Sequence, residues 1–272
     1  MTLALEDAIA EDPYDETAWS VFEDWLLEQG GVRAELVQLA KAKRPADAAL
    51  TATLLGEHHA ALARIVKRPA WRAGYLLECT YVERDEDLAA AFYAAPATRL
   101  LRRITFQLSD LDRLGDHVAD IADAPCRRSL RRIVVESHAG DASVLALVDA
   151  AQLAAIPRLT ALFVEAPVTL RGHAELSALR DLEIAVTRDA LPSWLAQRFP
   201  ALVSLQVYLA GRSYPRLAAE LTPLLGRVTA PVLEQLVLHT SSADARAVRE
   251  LVERSALRPQ LRVATVNGFH CA

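Results

Sequence analysis

The chain has 272 residues and a mass of 29.7 kDa, with 52% hydrophobic and 24% charged residues, a mean hydropathy of +0.14 and a net charge of −5. That apolar fraction excludes wholesale disorder, and the length suffices for one large domain or two smaller ones. The acidic balance leaves the whole chain without the electrostatic footprint of a nucleic-acid binder.

Charge is uneven. Residues 1–45 carry ten acids and four bases, whereas the remaining 227 carry 25 acids and 26 bases. A short acidic head before a nearly neutral body suggests two units, divided as 1–71 and 72–272. Residues 3–42 read as three short helices. Asp12-Pro13 breaks the first, and Asp12 or Asp15 can cap the second. Trp19, Phe22, Trp25 and Leu26 recur at helical steps and make one apolar face, with Trp25 expected in the core. Gly30-Gly31 supplies the left-handed residue that ends the second helix. Leu36, Leu39 and Ala40 repeat the step in the third. Asp24, Glu28, Arg33 and Glu35 surround the turn, and an ion-pair lock among Asp24, Arg33 and Glu35 is expected.

These residues carry a likeness. Asp12-Pro13-x-Asp15, then Phe22-x-Asp24-Trp25-Leu26-x-Glu28-x-Gly30, then Arg33-Ala34-Glu35-Leu36 resembles the bacterial repeat-companion domain. That domain stands at the N-terminus of repeat proteins of myxobacteria and planctomycetes. The resemblance covers residues 3–42 and implies a repeat array downstream; it implies no reaction.

Residues 46–67 form a further helical stretch, with Leu54, Leu55, His58, Leu62, Ile65 and Val66 near one face. Within it, Glu57-His58-His59 has metal-binding residue types. Adjacent helical residues point about 100° apart, so both histidines cannot easily face one ion. Pro69 and Trp71 mark the junction to the body.

The body carries an internal period. An apolar-x-x-apolar-x-apolar triplet recurs as Leu101, Ile104, Phe106; Leu130, Ile133, Val135; Leu159, Leu162, Val164; Leu179, Leu182, Ile184; Leu202, Leu205, Val207; and Leu233, Leu236, Leu238. Leu261, Ala264, Val266 is a weaker last copy, and Leu76, Cys79, Tyr81 a weak first one. The steps from Leu101 are 29, 29, 20, 23, 31 and 28 residues. The last two apolar positions of each triplet alternate as in a strand. Helical periods separate the triplets: Leu111, Leu114, Val118, Ile121; Val144, Leu145, Val148, Leu153; Leu217, Leu221, Leu224, Leu225; and Ala247, Val248, Leu251, Val252. Strand and helix of this size bury their apolar faces only by stacking on neighbours.

This pattern resembles the longer kind of leucine-rich repeat, over residues 72–268. The expected fold class is α/β: a leucine-rich-repeat-like solenoid of seven to eight irregular repeats, with parallel strands on a concave face and helices on a convex one. Residues 1–71 would be its N-terminal all-α cap. The asparagine that usually follows the triplet is absent. Ser109, His138, Pro167, Thr187, Ala210, Ser241 and Phe269 stand there, and Ser109, His138, Thr187 and Ser241 can still bond a backbone group. The 20-residue step from Leu159 to Leu179 leaves little room for a helix. A flat or kinked segment is therefore expected near 165–178. The last copy has no following helix, which leaves an edge that is exposed or covered by another chain.

Alternation predicts which residues face away from the helices. In order these are Arg103, Thr105, Gln107; Arg132, Val134, Glu136; Ala161, Phe163, Glu165; Asp181, Glu183, Ala185; Ser204, Gln206, Tyr208; Gln235, Val237, His239; and Val263, Thr265, Asn267. Aromatics flanked by charge suit a protein or peptide interface. The candidate partner-binding residues are Arg103, Arg132, Phe163, Glu165, Glu183, Gln206, Tyr208 and His239, with Phe163 and Tyr208 as anchors. Arg102-Arg103, Arg127-Arg128 and Arg131-Arg132 form the one basic cluster. Pairing with Asp110, Asp112, Asp116 and Glu136 explains it better than nucleic acid or an acidic peptide, and it lacks interleaved aromatic stacking residues.

Catalytic patterns are missing: no G-x-S-x-G, HExxH, P-loop or G-x-G-x-x-G occurs, and ten glycines leave few phosphate-cradling loops. An acid–base pair of His239 with Glu183 or Glu165 is disfavoured by two intervening strands. Three dispersed cysteines, Cys79, Cys126 and Cys271, fit a reducing compartment and no zinc site. The acidic start is no signal peptide, and no run reaches the ~18 apolar residues of a membrane span. The function expected is non-catalytic binding of a protein or peptide in the cytoplasm, without cofactor, metal, membrane or nucleic acid. The alternatives are an accessory subunit of an enzyme complex and a structural protein that self-associates through its C-terminal edge.

Overall fold

Short helices form at the N-terminus where polar caps and glycines bracket them. In this computed structural model, which describes residues 2–45, 48–55, 59–83, 88–137, 146–166, 168–187, 189–209, 217–226 and 229–271, α1 (Thr2–Glu11), α2 (Glu16–Gln29) and α3 (Val32–Lys41) follow in order. Asp15, rather than Asp12, caps α2: its carboxylate accepts from the backbone N–H groups of Thr17 and Ala18 at 2.8 and 3.2 Å. Gly30 and Gly31, at φ of 75° and 82°, turn the chain into α3. Trp19 and Phe22 are fully buried, whereas Trp25 is only half-buried and stacks on Phe22 at 5.9 Å.

The chain divides into two compact units, Met1–Ser109 with Ala119–Arg131, and Asp110–Val118 with Arg132–Ala272. In the first, α4 (Ala48–Leu55) and α5 (His59–Ile65) lead into β1 (Val66–Arg72), which pairs antiparallel with β2 (Tyr75–Val82). The expected helix over 46–67 thus ends at Ile65. Glu57 and His58 lie outside the described residues. β1 shows no apolar alternation and carries Lys67, Arg68 and Pro69, all exposed. Its strand geometry comes from pairing, and its charges and proline blunt the edge it forms. The 71/72 boundary falls inside this strand. The helical core is completed beyond it, by Ala73, Tyr75, Leu77 and Leu100 packed with Ile9, Trp19, Phe22, Leu26 and Val37. α6 (Leu88–Ala94) then precedes β3 (Arg103–Leu108), which runs parallel to β2 with Cys79 beside Ile104 and Tyr81 beside Phe106.

The second unit repeats that arrangement. β4 (Arg132–Ser137), β6 (Ala161–Val164), β8 (Asp181–Val186), β9 (Ser204–Leu209), β10 (Gln235–His239) and β11 (Val263–Val266) are neighbours in that order, all parallel. The register places equivalent triplet positions side by side: Ile133, Leu162, Leu182, Leu205, Leu236 and Ala264 form one row. These and the row of Val135, Val164, Ile184, Val207, Leu238 and Val266 are buried. Each such side chain removed from water contributes about 1.5–3 kcal/mol when it is a full valine or leucine. The row, more than any single residue, holds the sheet. Helices α8 (Ala150–Ala154), α9 (Leu191–Leu195), α10 (Leu217–Leu225) and α11 (Ser242–Glu253) connect the strands. Helix α7 (Leu114–Asp123) lies across the division of the chain.

Three segments differ from expectation. Val148 belongs not to a helix but to β5 (Ala146–Asp149), which pairs in parallel with β7 (Val168–Arg171); Val144 and Leu145 lie outside the described residues. Ala146 and Val148 are buried while Leu147 is exposed, a two-residue period that favours a strand. Asp149 then caps α8 by accepting from the Ala151 N–H at 2.9 Å. The short step from Leu159 to Leu179 is filled by β7, with no helix among its described residues. Finally, the chain turns at Asn267-Gly268 and β12 (Phe269–His270) returns antiparallel to β11, so two residues cover part of the last edge.

Candidate partner-binding face

The side chains opposite the buried rows line up across the second unit. Arg132, Ala161, Asp181, Ser204, Gln235 and Val263 share one row, and Val134, Phe163, Glu183, Gln206, Val237 and Thr265 the next. Ala185, Tyr208 and His239 stand in a third row, beyond Ile184, Val207 and Leu238. Phe163, Glu183, Gln206, Tyr208 and His239 are each half-buried, and Glu165, which follows β6, is exposed. Seven of the eight candidate residues therefore belong to one face of one unit. Arg103 stands on β3 of the first unit.

Two aromatic arrangements dominate this face. The Arg132 guanidinium lies 4.6 Å above the Phe163 ring, a geometry in which the ring quadrupole attracts the cation. Tyr208 and His239 stack with their planes nearly parallel, centroids 4.4 Å apart and 5° between planes. The Gln206 amide donates to the Tyr208 hydroxyl and fixes that ring's outer end. Phe163 and Tyr208 are separated by β8, so they are distinct anchor points. A single strand, β9, separates Glu183 from His239, not two; two separate Glu165 from it. Among the described residues, Glu165, Asp181 and Glu183 make no side-chain hydrogen bond or ion pair, and no group of three potential metal ligands occurs.

Three arginines of the basic cluster, Arg102, Arg128 and Arg131, have partners other than those expected. Within the first unit, Arg99 pairs with Glu6 at 3.0 Å, Arg128 with Asp7 at 3.5 Å and Arg72 with Glu16 and Glu23 at 2.9 and 2.8 Å. Arg102 pairs with Glu78 at 3.0 Å and lies over Tyr14. Arg131 is buried and donates to the carbonyls of Ala10 and Glu11, both at 2.7 Å, closing the C-terminus of α1. Cations there meet the negative end of the helix dipole. Glu6 is buried and also accepts from the Tyr75 hydroxyl. Desolvation, with that bond, pushes the Tyr75 phenol far above its ordinary range. The ion-pair lock expected at the α2–α3 turn is likewise rearranged. Asp24 pairs with Lys41 at 2.9 Å, and Arg33 lies over the Tyr75 ring at 4.3 Å. A polar cleft of about 280 Å³ remains among Glu6, Asp7, Arg99, Asp123, Arg127 and Arg128.

The chain is similar in fold to a protein of Bacteroides fragilis. That crystal structure, a structural-genomics target, superposes with a TM-score of 0.52 at 17% identity, over 68% of this chain and 58% of that one. The chain thus spans less than two thirds of that protein's length, and the likeness concerns the fold. No protein-family model matches the chain, and no curated protein matches it.

Polar residues that bridge successive strand segments escaped the sequence reading. Ser129 donates to the carbonyl of Leu101 at 2.9 Å, and Gln260 to that of Leu233 at 2.9 Å. Each stands immediately before a triplet and reaches the first leucine of the preceding one. Asn267 brackets Thr240, accepting from its N–H at 2.7 Å and donating to its carbonyl at 2.9 Å. Of the residues at the usual asparagine position, Ser241 instead caps α11 through Asp244, while His138, Pro167 and Ala210 lie outside the described residues. A signal was present in half of the copies: proline stands two residues before the first apolar position at Pro157, Pro200, Pro231 and Pro259, marking those four turns into a triplet.

Proposed function

We propose that this chain is a non-catalytic scaffold that binds a protein or peptide on the helix-free face of its parallel sheet. In this reading the architecture is a leucine-rich-repeat-like solenoid, and the helices of residues 1–71 serve as its cap, working in the cytoplasm. The observation that carries the proposal is the alignment of Arg132–Phe163 and Tyr208–His239 on one face, with unpaired carboxylates beside them. Large, rigid aromatic side chains ringed by charge are what binding hot spots are made of. Phe163 and Tyr208 act as anchors; Glu165, Glu183 and Arg132 set charge complementarity, and Gln206 and His239 support Tyr208.

The test is affinity capture followed by measured affinities. A partner identified by mass spectrometry should lose at least tenfold in affinity with Phe163→Ala, Tyr208→Ala or Glu183→Ala. Unchanged affinity in all three would remove the face from the proposal. Self-association through the C-terminal edge is favoured by Phe269, which is 64% exposed, and charges placed at Phe269 should then abolish a concentration-dependent rise in size.

A further inference from the structure

On the face opposite the buried rows, Ala185 is a small residue between longer side chains. It lies on β8, paired across to Tyr208 on β9, and its side chain ends at Cβ. Glu165 stands on its other side, one residue beyond Val164, which pairs with Ile184. Glu183, two residues earlier on β8, shares the same face. Strand neighbours are about 4.8 Å apart and diagonal neighbours about 7–8 Å, which is within reach of one planar group. The missing side chain thus leaves a notch with a carboxylate on one wall, a second carboxylate at one end, and the Tyr208–His239 stack as the opposite wall.

We propose that this notch receives an arginine side chain of the partner. The inference rests on the reading of this face as a docking surface and names what docks at its centre. Charge complementarity decides the sign. Asp181 and Glu183 on β8 and Glu165 just after β6 are acidic, against Arg132, which already covers Phe163. Arginine suits the walls better than lysine. Its flat guanidinium can stack on an aromatic face while forking to carboxylates, whereas an ammonium is a compact, strongly hydrated charge. The protein uses the same pairing internally: guanidinium groups lie over Tyr75, Trp19, Tyr14, Phe163 and Phe269 at 4.3 to 5.1 Å. Among the described residues none lies over the Tyr208–His239 pair.

The experiment uses the full chain and three fluorescein-labelled eleven-residue glycine–serine peptides, carrying two arginines, two lysines or no charge. Anisotropy titrations at moderate and high salt should rank arginine above lysine above neutral. Glu165→Gln with Glu183→Gln should weaken the arginine peptide at least tenfold, and Ala185→Arg, which fills the notch from within, should abolish the preference. Native circular dichroism of each variant verifies folding. Equal affinity for all three peptides, or an arginine preference that survives Ala185→Arg, overturns the proposal. A wild-type dimer in sedimentation that Ala185→Arg dissociates also overturns it, because the occupant would be a second copy. A captured partner that depends on Phe163 but ignores Ala185→Arg and the double glutamine variant refutes the notch and leaves the docking face standing.

Discussion

Lowering the pH should destabilise this protein through one buried imidazole. His117, on α7, is 2% exposed and is held down to about 4 from an ordinary 6.5, first by desolvation and then by the Arg113 charge, with Asp116 opposing. A depressed histidine binds its proton more weakly folded than unfolded. Between pH 6.5 and 4 the unfolded chain therefore carries more protons, and stability falls as pH falls. Above 6.5 both states are neutral and the group is silent; below about 4 both are protonated and its effect is constant. A displacement of this size converts to about 3 kcal/mol, lost at up to ~1.4 kcal/mol per pH unit within the window. That is a large share of the ~5–15 kcal/mol by which native domains are stable. Urea unfolding of the wild type and of His117→Leu, at half-unit steps from pH 7.5 to 4, isolates it from carboxylates that titrate in both. The difference in unfolding free energy should grow in favour of the variant as pH drops. A difference that stays flat between pH 7 and 4.5 would show that His117 is solvated and that the reasoning from burial fails.

Three more outcomes are expected. Arg131→Met leaves the carbonyls of Ala10 and Glu11 without their donor and should cost roughly 2–4 kcal/mol in chemical denaturation, with faster amide exchange in α1; a loss below about 0.5 kcal/mol would mean the cap contributes nothing. A Cβ at Gly115 would sit 2.5 Å from the Leu147 carbonyl oxygen, so Gly115→Ala should destabilise by ~1–3 kcal/mol from overpacking despite a helix-propensity gain near 1, and a raised melting temperature would contradict the contact. Burial pushes the Cys126 thiol up to about 12 and Cys79 further still, so neither should react with Ellman's reagent at pH 8 until urea unfolds the chain; prompt reaction of either would contradict it.

What could be read from the residues follows from range. Apolar triplets are local, and a leucine or valine pair two residues apart reports its own burial. All the strands that carry triplets were therefore foreseeable, including the weak Leu76, Cys79, Tyr81 copy on β2. β1 and β5 were not. β1 is a charged, proline-bearing edge that exists because β2 offers hydrogen bonds, and β5 is four residues long and needs β7 to define it. The candidate face was legible residue by residue through alternation. Its pairings were not, because setting Arg132 over Phe163 requires the register between strands whose equivalent residues are 29 apart.

The acidic head shows how a correct sequence observation can point to the wrong physical cause. An excess of carboxylates over residues 1–45 suggested a boundary between units. In the fold the same charges are spent within the unit: Glu6, Asp7, Glu16 and Glu23, with the carbonyls that end α1, meet arginines 72, 99, 128 and 131 of the same unit. Two of these arginines, Arg128 and Arg131, belong to what composition alone presents as a basic cluster open to an acidic ligand. Once these contacts are formed, those arginines have little attraction left to offer. On the face of the second unit the balance is reversed, for Glu165, Asp181 and Glu183 find no cation among the described residues. Complementarity therefore points away from the conspicuous arginines and toward the less conspicuous acids. A binding surface is better sought where charge is left over after folding than where it is dense in the sequence.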